Sequence, residues 1–198
     1  ALVDNIVRHV IDLNKSIRDS EPLSMENAGD LIKISRRGLF DMLTGLPTRH
    51  LFHQQINELL EEAPDRLYGI FFFDMDRLKP INDNLGHEAG DKALRGFADS
   101  LASFAEEHHG LACRYGGDEF VLFVPLQSAS DIPELAEKLL QNQRGRVKGR
   151  GKNYVYGTSI GICPYPCGAF SFDEALRAAD LALYKAKSRG RGGFSVHE

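Results

Sequence analysis

Four acidic side chains lie where the sequence predicts the ends of β-strands. The continuous apolar run Tyr68–Phe73 predicts a buried strand, and Asp74-Met75-Asp76 follows it directly. Asp118 and Glu119 follow Gly116-Gly117 in a tight turn between two further predicted strands, where the glycines leave room for a ligand to approach the backbone. If these strands are neighbours, Asp74 and Asp118 converge.

Gathered carboxylates of this kind favour a bound cation. They are costly to bury unless they are paired or bind cations, and Mg²⁺ in proteins prefers one or two carboxylates together with phosphate oxygens. A magnesium nucleotide meets that need. We expect the side chains of Asp74 and Asp76 to lie on opposite faces of the sheet, so that only one points into a given site. Taken alone, an acidic turn between two strands is more often solvent-facing.

The elements that position these acids alternate between helix and strand. Before the strand Tyr68–Phe73, the sequence predicts a helix capped by Thr48, and after Asp76 it predicts a polar loop. Apolar spacing then predicts a helix through Leu94–Phe104, a hairpin of Leu111–Tyr115 and Phe120–Val124, and a helix through Ile132–Leu140. The remaining predicted elements are a strand Tyr154–Ile162 with Gly157 and Gly161 as candidate bulges, a helix Ser171–Ser188 and a strand Phe194–Val196. This order predicts an α/β fold with a mixed central β-sheet and helices on both faces.

Residues 1–40 are predicted to form an N-terminal helical extension. Val3, Val10 and Ile17 repeat every seven residues, a spacing that fits either a dimerising coiled coil or a helix packed on its own domain. Glu21-Pro22 interrupts this helix, and Ser24 is placed to cap a second helix that ends near residue 40. The extension is therefore a candidate dimerisation or signalling segment.

Composition indicates a globular protein and excludes several binding classes. With 42% hydrophobic and 26% charged residues the 198-residue chain is typical of a globular domain, and 24 basic against 28 acidic residues disfavour a general nucleic-acid binder. No apolar run approaches the roughly 18 residues of a membrane span. Three cysteines, an odd number, and the lack of a signal pattern predict a cytoplasmic protein. Because the chain starts with Ala1, we expect a fragment, with a sensor in the segment before it.

One stretch is unusually basic. Gln143–Lys152 carries five basic residues among three glycines. It is predicted to be a solvated loop, with a phosphate or membrane contact as the alternative.

The segment Arg114–Phe120, Arg-Tyr-Gly-Gly-Asp-Glu-Phe, resembles the signature of the GGDEF-domain diguanylate cyclases. Other family motifs are matched, in the family's order, by Asp41–Arg49, Asp74–Asp83, Gly86-His87, Gly90-Asp91, Ser159–Gly161 and Ala179–Arg191. Thr48 replaces the usual asparagine, and Arg77 and Leu78 replace the aromatics common after the first strand. These departures affect the expected loop packing more than the expected metal site.

The resemblance implies a nucleotidyl-cyclase or palm-like fold and an enzyme that condenses two GTP molecules into cyclic di-GMP and two pyrophosphates. It implies that Asp74, Asp118 and Glu119, with the Met75 carbonyl, hold two Mg²⁺ ions roughly 3.5–4 Å apart, for which Mn²⁺ can substitute. The 3′-hydroxyl of one GTP would attack the α-phosphorus of the other. Asp118 or solvent on the metal would accept the proton.

The resemblance also assigns residues to the nucleotide. Asn82 and Asp91 match positions that read the guanine edge, because an acid accepts from guanine N1 and N2 but repels adenine N1; an Asx turn and a helix cap are the respective alternatives. Lys79, Lys187 and Arg191 match phosphate contacts. We expect Lys187 and Arg191 on one face of the closing helix, with a solvated helix end as the alternative.

Family members that are inhibited by their product carry Arg-x-x-Asp shortly before the signature. Glu107-His108-His109-Gly110 occupies that place here, so we expect no product inhibition through it. The leading hypothesis is an active homodimer of a catalytic domain spanning residues 41–198, because each half-site binds one GTP and two must face each other. The alternatives are a catalytically silent GTP-binding signalling module and a related transferase that makes mixed or linear dinucleotides. A P-loop NTPase is disfavoured because its motif is absent.

Overall fold

The computed structural model describes residues 38–149, 151–166 and 171–197 of the chain. Residues from Phe40 onward belong to one compact unit. The helices predicted before residue 38 lie outside the described residues, including the candidate coiled coil of Val3, Val10 and Ile17. None of the described helices has the length and apolar character that a bilayer span requires.

The described unit contains five α-helices, a short 3₁₀ helix at Ala129–Asp131 and six strands. The helices are α1 Arg49–Glu62, α2 Leu78–Leu85, α3 His87–Glu107, α4 Ile132–Asn142 and α5 Phe172–Ser188. The strands are β1 Tyr68–Asp76, β2 Leu111–Gly116, β3 Glu119–Pro125, β4 Gly145–Gly149, β5 Lys152–Tyr165 and β6 Phe194–Val196.

The sheet is mixed, as predicted, and β1 is its middle strand. Its order is β2-β3-β1-β5-β4 with antiparallel neighbours throughout, and β6 pairs in parallel with Ile160–Ile162 of β5. All nine residues of β1 are buried, which confirms that its continuous apolar run marks a strand covered on both faces.

Helices cover both faces of the sheet, and alternate residues of β1 contribute to two separate cores. Phe71 and Phe73 belong to the core that also contains apolar residues of α3 and α4. Ile70 and Phe72 belong to the core that contains apolar residues of α1 and α5. The predicted layers are therefore confirmed.

Two of the predicted helix caps have different outcomes. Ser171 and Glu174 form the predicted capping box at the start of α5, each side chain accepting a hydrogen bond from the other's backbone N–H. Helix α1 begins directly after Thr48, but the Thr48 side chain makes no capping hydrogen bond.

The prediction of a polar loop after Asp76 was wrong. The segment folds as α2, followed by the first turns of α3, with Gly86 between them at φ 85°. Leu78, Ile81 and Leu85 pack on the core at helical spacing. The polar residues that lie between these three positions concealed the periodicity.

The basic stretch is not a loop but contains a strand. β4 pairs antiparallel with β5, with Val147 opposite Tyr154. Val147 is buried, whereas Arg146 and Lys148 on either side of it are exposed. This alternation is typical of a half-buried strand, and its high charge hid the pattern.

The bulges predicted at Gly157 and Gly161 were also wrong, because the register between β1 and β5 continues without a shift from Tyr68 to Asp76. Gly161 instead permits close packing of α5. A Cβ there would lie 2.0 Å from the Ala179 carbonyl oxygen and 2.1 Å from the Leu183 nitrogen. The ladder irregularity lies in β2, between Arg114 and Gly116.

Candidate active site

The two acids at the end of β1 lie on the same face of the sheet. The prediction of opposite faces was wrong, because side chains two residues apart in a strand point the same way. Asp74 and Asp76 follow Phe72 on the α5 side, whereas Met75 packs into the opposite core. Both acids are buried, at 8% and 5% exposure. Each therefore needs a partner.

Asp74 is paired with a lysine from the end of α5. The Lys187 Nζ lies 2.6 Å from Asp74 Oδ2. Burial raises the pKa of Asp74 above its ordinary value, Lys187 lowers it in part, and the charges of Asp118 and Asp76 add to the increase. Lys187 thus compensates Asp74 directly, while the neighbouring carboxylates keep its pKa raised.

Asp76, to which the sequence assigned no role, holds the last loop of the chain. Its carboxylate accepts hydrogen bonds from Ser159 Oγ at 2.9 Å, Arg191 Nη1 at 3.1 Å and the Gly192 N–H at 3.1 Å. The Asp-x-Asp spacing was the signal for this role, since it puts Asp76 beside Asp74. Arg191 lies beyond the end of α5 at φ 61°, so the prediction that Lys187 and Arg191 share one helix face was wrong.

The signature turn brings Asp118 and Glu119 to the same place. β1 and β3 are neighbours, Asp74 is in register with Glu119, and the Met75 N–H donates to the Asp118 carbonyl at 3.0 Å. Burial raises the pKa of Glu119, and the carboxylates of Asp180, Asp74 and Asp118 raise it further. The expected approach of Asp74 and Asp118 is therefore present.

Arg114 holds the signature turn in shape. Its Nε and Nη2 donate to the Gly117 carbonyl at 3.0 and 2.7 Å, and its Nη1 donates to Asp41 Oδ1 at 2.9 Å. Asp41 also accepts from the N–H and hydroxyl of Thr44. Burial would raise the pKa of Asp41, but the hydrogen bonds from Thr44 and Arg114 outweigh it and lower the pKa. Sequence reasoning gave these contacts no role.

Asn82 and Asp91 lie on adjacent helices. Asn82 is inside α2 and Asp91 inside α3, so the alternatives of an Asx turn and a helix cap are wrong. Asn82 Oδ1 is buried without a hydrogen-bond partner, and a Cβ on Gly90 would approach it to 1.9 Å. A buried acceptor with no partner is a place for a ligand donor. Lys79 is exposed in the first turn of α2.

The carboxylate oxygens of these acids are the ligand type that a metal ion prefers, although the acids are not already arranged around a metal position. Among the described residues, no three His, Cys, Asp or Glu side chains stand at metal-binding spacing. Asp74, Asp118 and Glu119 nevertheless repel one another across adjacent strands, with Lys187 as the cation that offsets this charge. Hard divalent cations prefer such carboxylate oxygens.

Comparisons with known proteins identify the family to which the chain belongs. The family described as diguanylate cyclase, GGDEF domain, matches residues 39–193. The bifunctional diguanylate cyclase/cyclic di-GMP phosphodiesterase MucR of Pseudomonas aeruginosa (strain PAO1) is 34% identical over 162 residues, which are 81% of this chain and 24% of that protein. Diguanylate cyclase TpbB of P. aeruginosa (strain UCBPP-PA14) is 32% identical over 191 residues, 94% of this chain and 44% of that protein.

Other matching relatives are named cyclic di-GMP phosphodiesterases. The chain spans less than half the length of the relatives described above. A solved structure of the GGDEF domain of TpbB from P. aeruginosa (PAO1) is similar with a TM-score of 0.73 and 34% identity, covering 80% of this chain and 94% of that one. On its sequence and its fold, this chain belongs to the GGDEF diguanylate cyclase family.

Proposed function

We propose that the domain is a diguanylate cyclase that condenses two GTP molecules into cyclic di-GMP and two pyrophosphates. The observation that carries the proposal is the pairing of Asp74 with Glu119 in register. It brings the carboxylates and the Lys187 ammonium together at one end of the neighbouring strands β1 and β3. A triphosphate with bound metal cations would pair with both the carboxylates and the ammonium, because the cations bind the carboxylates and the phosphate binds the ammonium.

Diguanylate cyclases of this family use a divalent metal. We assign two ions here, Mg²⁺ with Mn²⁺ able to substitute, to the carboxylates of Asp74, Asp118 and Glu119 and the Met75 carbonyl. When bound, the ions neutralise phosphate charge and lower the pKa of the attacking hydroxyl. The raised pKa values of Asp74 and Glu119 support the assignment, because a nearby cation offsets both burial and carboxylate repulsion.

The basic residues at the site would hold the phosphates. Lys187 would exchange Asp74 for a phosphate oxygen, and Arg191 would do the same from Asp76. Lys79 is exposed in the first turn of α2 and would add a third cation. Asp118 would accept the proton of the attacking 3′-hydroxyl, directly or through solvent.

The guanine would lie against α2 and α3. The partnerless Asn82 Oδ1 is a ready acceptor for a guanine N–H, and Asp91 follows the glycine on which Asn82 packs. A carboxylate at Asp91 accepts from N1 and N2 of guanine and repels the acceptor N1 of adenine. GTP is therefore the proposed substrate rather than ATP.

GGDEF domains bind GTP and act as dimers. We propose that two copies of the domain at residues 41–198 face each other, so that each presents one GTP to the other. Residues 1–40 would form the signalling segment between the domain and an upstream sensor. We propose a cytoplasmic location for the domain, because its proposed substrate, GTP, is a nucleotide of the cytoplasm.

Product analysis tests the proposal. Wild-type protein of verified dimeric mass is incubated with GTP and Mg²⁺, and the product is identified by mass; cyclic di-GMP is expected. Asp118→Asn should lower kcat at least about a hundredfold, and the matched control Asp99→Asn, an exposed acid of α3, should not. A wild-type dimer without cyclic di-GMP would contradict the proposal. Equal yield from ATP alone would contradict the guanine assignment.

The second candidate is a GTP-binding module without turnover. The observation that favours it is the 2.6 Å contact between Lys187 and Asp74, which compensates the acid without a metal. In that case GTP binds, the Asn82→Ala variant loses binding, and no dinucleotide forms. Mixed or linear dinucleotides in the same mass analysis would identify the related transferase instead.

A further inference from the structure

The hairpin of β4 and β5 carries charge of a single sign at the edge of the sheet. Within Gln143–Lys152 the basic residues occupy every second position, and the sequence has no Asp or Glu anywhere from Lys138 to Phe172. β4 is the last strand of the sheet order and pairs with β5. A chain whose net charge is −4 therefore concentrates positive charge on one edge hairpin.

The register of the hairpin places basic side chains on one face. Arg146 and Lys148 lie two residues apart in β4, and Val155 of β5 lies directly opposite Arg146, so all three project to the same side. All three are exposed, Val155 at 53%. Arg144 continues the row, because its Cγ lies 4.0 Å from the position that a Cβ on Gly157 would take. We call the surface formed by Arg144, Arg146, Lys148 and Val155 the hairpin face.

The hairpin face lies on the side of the sheet that α5 covers, but α5 does not reach it. α5 packs closely on β5 at Gly161, where an added Cβ would meet its backbone. Val155 projects to the same side as Gly161 but is exposed, so the helix no longer covers the strand there. In the described part of the chain, the three basic side chains of the hairpin face form no ion pair. The face therefore has both space and charge for a partner.

Protection of the edge strand is the simplest explanation of this charge. Charged side chains on an edge strand prevent it from pairing with the edge of another chain. Either sign of charge gives that protection, and opposite charges across a hairpin would also stabilise it. The residue opposite Arg146 is the apolar Val155 rather than an acid. The uniform sign therefore indicates a negatively charged partner.

Two features favour a lipid surface over a nucleic acid as that partner. The aromatic side chains of the hairpin, Tyr154 and Tyr156, pack on the core at the opposite face, so the hairpin face as defined has no ring on which a base could stack. Val155 stands exposed among the cations, where it adds an apolar contact suited to the boundary between headgroups and acyl chains. A bilayer with anionic lipids matches both the charge and the apolar residue.

We propose that the hairpin face docks on the surface of a bilayer that contains anionic lipids. Arg144, Arg146 and Lys148 bind lipid phosphates, and Val155 lies at the depth of the headgroups. Each cation near an anionic surface strengthens binding about fivefold, so three cations give a preference on the order of a hundredfold over a neutral bilayer. Such a contact is reversible and orients the domain on the membrane. It does not depend on the proposed catalytic activity.

Vesicle binding by the full chain tests the proposal. Vesicles of phosphatidylcholine alone are compared with vesicles that also contain the anionic lipid phosphatidylglycerol, and bound protein is measured by sedimentation. Wild type should bind the anionic vesicles at least about tenfold more tightly. Salt at about 1 M should remove this preference, because it shortens the Debye length to roughly 3 Å.

Charge removal shows whether the hairpin face makes the contact. The double variant Arg146→Gln/Lys148→Gln should bind the anionic vesicles about twenty-five-fold more weakly than wild type. The matched control Lys92→Gln/Arg95→Gln removes the same two residue types from exposed positions on α3 and should stay within about twofold of wild type. Thermal unfolding within about 3 °C of wild type shows that each variant is folded.

A fluorescent reporter shows which side of the domain meets the bilayer. The chain contains no tryptophan, so a single introduced indole reports its own surroundings. The emission of Val155→Trp should shift to shorter wavelength with the anionic vesicles and stay unchanged with the neutral ones. Ala102→Trp, at an exposed position of α3 on the other side of the sheet, is the matched reporter and should not shift.

The outcomes that overturn the proposal are distinct. Equal binding to neutral and anionic vesicles, an equal loss in the two double variants, or a shift in Ala102→Trp without one in Val155→Trp each contradicts docking through the hairpin face. Duplex DNA and single-stranded RNA are tested at the same salt. Tighter binding to either, lost in Arg146→Gln/Lys148→Gln, identifies a nucleic-acid surface instead. No binding to any of these partners leaves the charge as protection of the edge strand alone and also overturns the proposal.

Discussion

Asp74 and Asp76 each face a cation that comes from the far end of the chain. Lys187 compensates the first acid and Arg191 the second, at 2.6 and 3.1 Å. The same two cations are the ones proposed to hold phosphate. If a nucleotide binds as proposed, it would replace these ion pairs, so the net gain in binding free energy would be smaller than a count of new contacts suggests.

Asp76→Asn tests whether Asp76 positions Arg191. The variant loses the charge that the Arg191 and Gly192 donors share, so we expect unfolding free energy to fall by about 1–3 kcal/mol. We also expect KM for GTP to rise several-fold with a smaller change in kcat. Ser159→Ala removes one donor to Asp76 and one acceptor of the Gly192 N–H but leaves the ion pair of Asp76 with Arg191, so its KM should stay near wild type. Urea unfolding and steady-state kinetics measure both, and an unchanged KM in Asp76→Asn contradicts the role.

Gly90→Ala tests the placement of Asn82. An added Cβ would lie 1.9 Å from Asn82 Oδ1, so the amide must move away from the proposed guanine edge. We expect GTP affinity, measured by calorimetry, to fall at least tenfold while the fold is kept. Gly96→Ala in the same helix is the control, because its Cβ meets only the Tyr156 hydroxyl at 3.2 Å. Equal loss in both variants would point to a general effect on α3.

At the scale of elements, the β2–β3 hairpin is joined to the turn that precedes α1. Arg114 makes the connection through Asp41 and the Gly117 carbonyl, and its N–H also donates to the Pro47 carbonyl at 3.1 Å. The side chains of Arg114 and Asp41 are only 15% and 26% exposed. Their ion pair is thus less screened by water than a surface pair.

Asp41→Asn should destabilise the protein in a pH-dependent way. The folded pKa of Asp41 is lowered, so its contribution to stability is present above the unfolded pKa of about 3.9 and is lost as pH falls through the folded pKa. We expect a deficit of about 1–3 kcal/mol at pH 7 that shrinks as the pH falls below about 4. Denaturant unfolding at several pH values measures it, with exposed Asp65→Asn as the control. A deficit that is constant with pH contradicts the ion pair.

The sequence predicted most elements because apolar spacing reports burial directly. β1, the signature hairpin, α4 and α5 all carry uninterrupted patterns of this kind. The sequence analysis missed α2 and β4, because charged and polar residues there outnumber the few apolar residues that pack on the core. The roles of Asp76 and Arg114 depend on contacts 115 and 73 residues away in the chain, which local spacing does not encode.

At the scale of the whole molecule, the segment Glu107-His108-His109-Gly110, from which we expect no product inhibition, lies at the end of α3. Glu107 is exposed as the last residue of α3, and the His108 ring stacks on Phe104 at 4.0 Å. Gly110 has no space for a side chain, since a Cβ would lie 2.5 Å from Val124 Cγ1 and 2.7 Å from the Phe123 carbonyl. An aspartate at position 110 would therefore displace β3.

We expect the cyclase to keep its initial rate when micromolar cyclic di-GMP is added, because Glu107 repels phosphate where an arginine would bind it. Glu107→Arg alone should not create inhibition, since position 110 supplies no acid. Initial rates with and without added product measure both. Inhibition of wild type that disappears in Glu107→Ala would show that this segment binds product after all.

The contact between Asp41 and Arg114 has a mechanical consequence. The planar guanidinium is rigid and bonds at once to Asp41 and to the carbonyl of Gly117, so it acts as a short strut between them. A shift of the backbone at Asp41 would reach the glycine turn through this side chain, in addition to the backbone hydrogen bond between Arg114 and Pro47. The Arg114 side chain therefore couples the position of the glycine turn to the start of the domain.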